Sequence, residues 1–315
     1  MEIPDYGLWL DPWDRRPFAF VSHAHGDHIG NHAETILSPP TARLMRARLA
    51  GKRVEHLLDF GRQTMVRGLP ITLLPAGHIF GSAQFYLEAD GESLLYTGDF
   101  KLRSGLSAER TEWRQADTLV METTFGLPRY RFPPAEEVWA AVIRFCQEAL
   151  AEGRTPVLLA YPLGKSQEIL CVLARAGLPA MLDESVHRMT EIYRDLQPGF
   201  PACERHDAAT LAGRVLICTP GAARKPPIAE IPRRKTAVLT GWAIEPGARF
   251  RYRCDAAFPL SDHADYDDLL RYVELVQPRR VLTLHGFASE FATDLRRRGV
   301  EAWALTAENQ LELPL

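Results

Sequence analysis

An apolar run, Phe18-Ala19-Phe20-Val21-Ser22, leads straight into His23-Ala24-His25-Gly26-Asp27-His28, and this junction constrains the fold more than any other stretch of the chain. The run reads as a strand, and the residues after it form a tight turn at its C-terminal end. Zinc and related ions require neutral imidazoles and carboxylates placed by rigid backbone. The turn offers four such groups: His23 and His25 suit one metal, and Asp27 and His28 suit a neighbour. Gly26 is expected to let the turn close without a Cβ clash. The placement recurs in apolar runs at 93–97 and 118–121, which end near Asp99 and Glu122. His23, Asp99 and Glu122 are therefore expected to converge at one edge of a sheet.

His78 and Asp99 supply the rest of the ligand set, with one Asp99 oxygen for each of two metals. Two divalent ions roughly 3.5–4 Å apart stabilise both the attacking and the leaving oxygen in phosphodiester hydrolysis. Imidazoles and carboxylates serve zinc and manganese alike, so the expected cofactor is two divalent ions, Zn or Mn. A lone histidine is more often a hydrogen-bonding or surface residue, and His32, His56, His187 and His206 are read that way.

The chain reads as α/β in class, and its 315 residues suit two domains or one domain carrying a large insertion. Strands at 69–74 and 83–87 accompany the histidine-rich segment. From about residue 133 the period changes: 134–152 is a helix with Val138, Val142, Phe145 and Leu150 on its apolar face. A strand at 156–161, a Gly164-Lys165-Ser166 turn and a helix to about 175 follow, then strands at 215–219 and 237–240, in the pattern of a parallel α/β unit. Near Pro259 the histidine-bearing loops resume, with a helix over 267–276 and a strand over 281–284. The reading is an α/β insertion over 126–245 set into a domain built from 1–125 and 246–315.

A formal net charge of -3 excludes a wholly basic nucleic-acid binder and leaves room for a local basic track. Five dispersed cysteines without CxxC spacing suit reduced thiols in a cytoplasm. No apolar stretch approaches the roughly 18 residues of a membrane span, and residues 1–5 lack a leader pattern. A soluble cytoplasmic protein with no membrane partner is expected.

The ordered series resembles the β-CASP branch of the metallo-β-lactamase-fold nucleases. The matching residues are the histidine-rich loop, His78 in Ala76-Gly77-His78-Ile79-Phe80-Gly81-Ser82, Asp99 in Thr97-Gly98-Asp99-Phe100, Glu122 in Glu122-Thr123-Thr124-Phe125-Gly126, His263 in Ser261-Asp262-His263-Ala264-Asp265, and His285 in Leu284-His285-Gly286. Glu122-Thr123-Thr124-Phe125-Gly126-Leu127-Pro128, Tyr161-Pro162-Leu163-Gly164-Lys165-Ser166-Gln167 and Leu260-Ser261-Asp262-His263-Ala264-Asp265-Tyr266 look like the bacterial ligase-associated DNA exonuclease group, which is similar in plan to the Artemis-type nucleases. The resemblance covers nearly the whole chain. It implies a metallo-β-lactamase αββα sandwich with an inserted α/β β-CASP domain that binds substrate. It also implies a metal-dependent exonuclease that trims DNA ends for repair, with DNA ligase and helicase partners.

By the same resemblance His263 is the general acid, Glu122 holds its ring and keeps it protonated, and Asp27 joins them in the catalytic set. His285 would complete the second metal's shell, and Asp11 in Leu8-Trp9-Leu10-Asp11 would buttress the metal loop. Eukaryotic DNA-acting members commonly lack a histidine at the last motif and RNA-acting members keep it. His285 therefore leaves an RNA-processing nuclease open as the alternative. A small-molecule metallo-hydrolase fits less well, because it needs neither Glu122 and His263 nor a long insertion.

Substrate contacts are expected from three segments. Gly164-Lys165-Ser166 at a strand–helix junction reads as a phosphate cradle or as a simple tight turn. It is not a Walker A loop, since no glycine lies five positions before Gly164. Arg129-Tyr130-Arg131-Phe132 and Arg249-Phe250-Arg251-Tyr252-Arg253 interleave basic and aromatic residues, which neutralise phosphates and stack unpaired bases. The second segment equally suits a strand with a solvated basic face. Lys165, Ser166, Arg129, Arg131 and Arg251 are the candidates for substrate binding. Arg224, Lys225 and Arg233-Arg234-Lys235 read as a basic loop, and Arg296-Arg297-Arg298 as the solvated side of a C-terminal helix.

Overall fold

Side chains along a strand alternate between two faces, and the strand Thr118–Glu122 buries both. Val120 packs with Phe18, Phe20, Ile36, Phe85, Tyr96 and Leu282, whereas Leu119 and Met121 pack with Leu95, Val281, Leu269, Tyr272 and Phe291. Burial on both sides accounts for an apolar run without polar alternation. The computed structural model describes residues 1–305, and in it this strand lies third in a seven-stranded sheet. The strand order is Glu301–Ala304, Arg280–Leu284, Thr118–Glu122, Glu92–Tyr96, Ala83–Ala89, Leu69–Pro75 and Thr64–Val66. The first four are parallel, and the meander from 64 to 96 is antiparallel.

A five-stranded sheet, ordered Glu2–Ile3, Leu8–Leu10, Phe18–Phe20, Glu34–Leu37 and Val54–Leu57, shares the first of these cores. Helices Tyr266–Val276 and Ala288–Arg297 close the second core with Leu269, Tyr272, Val276, Phe291 and Leu295. The spacing of Leu269, Tyr272, Val273 and Val276 gives one apolar stripe, and Asp265 caps the helix start by accepting the Asp268 amide at 2.9 Å. Helix Pro39–Arg48 begins at a Ser38 cap and lies beside Val54–Leu57 of the smaller sheet. The layers run helix, sheet, sheet, helix, as the αββα expectation requires.

The chain divides into two units, 1–131 with the segment from 263 onward, and Phe132–Asp262. In the second unit six parallel strands are ordered Glu204–Arg205, Ala180–Leu182, Val215–Cys218, Thr155–Leu159, Arg234–Leu239 and Ala256–Phe258. Helices Ala135–Ala151, Lys165–Arg175 and Glu184–Leu196 accompany them. This unit runs from 132 to 262, where the sequence reading set 126–245. Ala256–Phe258 adds a strand to its sheet, and Tyr130 is buried against Phe125 and Phe287 of the first unit.

Two local readings also change. Arg249–Arg251 lie in the short helix Ala248–Tyr252, not in a strand. Arg234 and Lys235 lie in a strand rather than a loop, and Arg234 Nη1 donates to the Ala223 and Ile228 carbonyls. Among the described residues no helix is long and apolar enough to cross a membrane.

Tyr272 is fully buried, and its hydroxyl donates to Gln84 Oε1, while Gln84 Nε2 donates to the Pro75 and Glu112 carbonyls at 2.9 and 2.7 Å. Tyr272→Phe leaves a buried amide oxygen without its donor, so a loss of about 1–3 kcal/mol is expected. Urea unfolding should show a lower midpoint at an unchanged m value. An unchanged midpoint would contradict this role for the pair.

Candidate metal centre

Asp11 fixes the histidine loop at its root. Its Oδ1 accepts the Ser22 amide at 2.7 Å, and its Oδ2 accepts the Tyr96 hydroxyl at 2.8 Å and lies 3.0 Å from His28 Nδ1. One buried carboxylate thus ties strand ends of both sheets to a ring of the loop. Burial opposes its ionisation, but His28 and the Ser22 hydrogen bonds hold it below the usual carboxylate range. Ser22 Oγ lies 3.0 Å from His23 Nδ1, so that ring turns its Nε2 toward Asp99, 3.6 Å from Oδ2. Asp99 arrives from Glu92–Tyr96 through Gly98, whose φ is +54°, and a Cβ there would stand 2.6 Å from the Ser22 Cβ. Only glycine permits that approach. Gly26 has no such constraint: a Cβ there would meet only Arg48 Nη2 at 3.6 Å, so the expected clash is absent.

His78 sits in a loop that is bonded on every side. Ser82 Oγ accepts the His78 and Ile79 amides at 3.1 and 3.2 Å, and the Gly81 carbonyl accepts the Ser38 and Thr41 hydroxyls at 2.6 and 2.8 Å. The Gly81 amide donates to the Glu109 carboxylate at 2.9 Å. Sequence reasoning missed Ser38, Thr41, Ser82 and Glu109, because hydroxyls and carboxylates far apart in sequence carry no spacing signal.

These elements bring His23, His25, His78 and Asp99 together, all buried, with ligand atoms within 4.8 Å of one another. Asp99 Oδ2 also lies 3.7 Å from His78 Nε2 and 3.3 Å from His28 Nε2, and His25 Nδ1 lies 3.0 Å from His78 Nε2. Burial, then the surrounding imidazoles, hold His23 well below the ordinary histidine range. Its buried Nε2 has no hydrogen-bond partner. An imidazole nitrogen left without a partner among nitrogen and carboxylate donors fits a divalent cation. Burial opposes the Asp99 charge, yet His28 and His263 hold the carboxyl well below its usual range. Burial would likewise lower His28, but Asp99 and Asp11 raise it well above the ordinary value.

A second group joins the first at Asp99, with Glu122 and His263. Glu122 ends its strand fully buried, and its oxygens lie 2.8 and 3.0 Å from His263 Nδ1. Oε1 also accepts the Phe100 amide at 3.0 Å, which fastens this pair to the residue after Asp99. The His263 ring stands 4.6 Å from that of His78. His263 therefore combines a ring nitrogen fixed by a carboxylate with a place beside the cluster.

The remaining sequence candidates lie further out. Asp27 is 58% exposed and 4.0 Å from His28 Nε2. His285 is exposed with φ +60°, its ring 6.1 Å from that of His28, and the Thr123 hydroxyl holds its carbonyl at 2.6 Å. Arg129 lies over Tyr130 and Phe287, and Arg131 pairs with Asp267 at 2.8 Å. Tyr130 is buried, so it presents no ring for stacking. Lys165 Nζ meets Asp262 Oδ2 at 2.5 Å, Arg251 pairs with Glu245 at 2.9 Å, and the buried Ser166 hydroxyl donates to the Tyr161 carbonyl at 2.6 Å.

Residues 252–305 match the family model described as Zn-dependent metallo-hydrolase RNA specificity domain. A protein of Opitutus terrae named Probable DNA ligase is 53% identical over 313 residues, which is 99% of this chain and 31% of that protein. The RNase J-like protein of Methanocaldococcus jannaschii is 26% identical across 84% of this chain and 80% of its own length. The DNA cross-link repair 1A protein of Gallus gallus is 23% identical across 96% of this chain and 34% of its length. The chain thus spans about a third of two of these three relatives.

Asp11→Ala removes one carboxylate from three partners and leaves the Tyr96 hydroxyl and the Ser22 amide buried without an acceptor. A loss of about 3–5 kcal/mol is expected, with reduced metal content after reconstitution. Denaturant unfolding and elemental analysis measure the two effects. Wild-type stability together with full metal content would show that Asp11 does not organise the loop.

Proposed function

The chain belongs to the β-CASP metallo-β-lactamase-fold family, and from that premise we propose that it is a metal-dependent phosphodiesterase that trims nucleic-acid ends, DNA above RNA. The observation that carries this reading is the Glu122–His263 pair beside the Asp99 cluster. A hydrolase acting on phosphodiesters needs charge neutralisation at phosphorus and a proton for the departing oxygen, and these two groups of side chains divide the tasks. His23, His25, His78 and Asp99 would hold one divalent ion. Asp99, Asp27, His28 and His285 would hold a second, zinc or manganese in either place. When bound, such ions polarise the phosphoryl oxygens and neutralise developing charge.

The chain's own residues supply the proton transfer. Glu122 accepts the hydrogen bond from His263 Nδ1 and stabilises the imidazolium, so Nε2 is the nitrogen that delivers the proton. As the P–O bond breaks, the proton passes from His263 Nε2 to the leaving alkoxide. Water adds to phosphorus and releases one proton to solvent, and solvent later reprotonates the ring.

DNA is favoured because the 53% identical relative is named for DNA ligase and the Gallus gallus relative for DNA cross-link repair. A ligase, with a helicase, is the proposed repair partner, and a cytoplasmic setting suits the dispersed cysteines. RNA processing is the second reading, supported by His285 and by the RNA specificity model over 252–305. The second unit is proposed to carry the strand, with Lys165, Ser166 and Arg251. Arg129 and Arg131, in the first unit, are proposed as further phosphate contacts. The ion pairs of Lys165, Arg131 and Arg251 must open to admit phosphates, and the buried Ser166 would contribute through its backbone.

End-labelled DNA and RNA strands digested across metals test both readings. DNA shortening from an end by the wild type is expected. His263→Ala should keep its metal and lose turnover by roughly 10²–10⁴-fold, with partial recovery on a nitrophenyl ester, whose leaving group needs no proton. Degradation of RNA alone would select the second reading. Loss of metal in His263→Ala would make His263 a ligand and remove it as the acid.

A further inference from the structure

A separate set of metal-ligating side chains lies in the second unit, on residues that the proposed phosphodiester chemistry does not use. His187 and Glu191 are four apart on helix Glu184–Leu196 and so share one face. Cys203 immediately precedes Glu204–Arg205, the edge strand of the parallel sheet. The Cys203 thiol donates to Glu191 Oε1 at 3.5 Å, and His187 Nε2 lies 4.0 Å from the same oxygen. Ligand atoms of all three residues fall within 4.8 Å of one another.

We propose that His187, Glu191 and Cys203 form an additional divalent-cation site of zinc type, which pins helix Glu184–Leu196 to the edge strand of its sheet. One sulfur, one imidazole nitrogen and one carboxylate oxygen are ligands that zinc accepts in a four-coordinate site, with water as the fourth. A thiolate in the set selects zinc or cobalt over magnesium, calcium and manganese. In a tetrahedral site such donors stand roughly 3.3–3.7 Å apart. The observed separations close to that by side-chain rotation at half-exposed positions, where His187 and Glu191 side chains are 24% and 44% exposed.

Without the ion, Arg194 supplies the positive charge, with Nη1 at 2.7 Å from Glu191 Oε1. Burial and Glu191 push the Cys203 thiol up to about 11, so coordination exchanges its proton into solvent as the sulfur–metal bond forms. Arg194 is thus the competitor that an entering cation displaces from Glu191.

Cobalt(II) titration of the full chain tests the site, because the Asp99 cluster contains no sulfur. A near-ultraviolet sulfur-to-cobalt charge-transfer band should appear and saturate at the amplitude of one thiolate-bound cobalt per chain. Cys203→Ser should abolish the band, and His187→Ala should weaken half-saturation at least about tenfold. Arg194→Gln should tighten half-saturation by roughly threefold or more, since a repelling charge is removed. Zinc should displace cobalt and raise the thermal midpoint of the wild type by more than that of Cys203→Ser, which keeps the Asp99 cluster. Absence of the band at saturating cobalt, or a band that survives in Cys203→Ser, would overturn the proposal. Should Cys203→Ser fail to fold, the other two variants still decide: a band indifferent to both would overturn it.

Discussion

Asp99 Oδ2 is buried within 3.3–3.7 Å of three imidazole nitrogens, and the geometry of the site follows from the need to keep that carboxylate charged. An isolated buried carboxylate costs several kcal/mol, and imidazoles offset this only while their rings stay oriented. Two of these rings, and that of His263 beside them, are held by outer partners. Asp11 holds His28, Ser22 holds His23, and Glu122 holds His263. These outer partners come from strand ends of both sheets, so the two sheets must meet with their C-terminal edges aligned. The double burial of Thr118–Glu122, with Val120 in one core and Leu119 and Met121 in the other, fixes Glu122 in that alignment.

Much of this was legible in the sequence where side-chain chemistry coincided with a strand end. His23, Asp99 and Glu122 each follow an apolar run, but they come from two sheets rather than one edge of a single sheet, and Asp99 is the residue shared by the His23 and Glu122 groups. Other features depend on partners distant along the chain and left no local trace. Ser82 caps the His78 turn, and Glu109 reaches Gly81 from a segment without regular structure. Gly26 looked necessary because it sits in a tight turn, yet the position is open and Gly98 carries the steric demand instead. The inner unit reaches 262 rather than the 245 of the sequence reading, and Ala256–Phe258 is too short to announce a strand. Its pairing with Arg234–Leu239 is a tertiary fact.

Cationic side chains were the least legible element. Lys165, Arg131 and Arg251 stand out in sequence as phosphate contacts, but in the fold each faces a carboxylate: Asp262, Asp267 and Glu245. A net charge of -3 supplies enough acidic residues for such pairing. The Lys165 pair is well shielded from solvent, whereas the other two are exposed and contribute little to stability. Exposed pairs of that kind exchange partners readily, so they do not oppose contact with an anionic strand. Ser166 differs, since its hydroxyl serves the turn that starts helix Lys165–Arg175.

The central claim is that the Asp99 cluster holds divalent metal. Crystals of the chain grown with manganese or zinc, measured on either side of the metal's absorption edge, test it most directly. The account predicts anomalous density in contact with His23, His25, His78 and Asp99, and a second peak reaching Asp99 from the His28 side. Strong anomalous density elsewhere in a metal-saturated crystal, with none at Asp99, would contradict it.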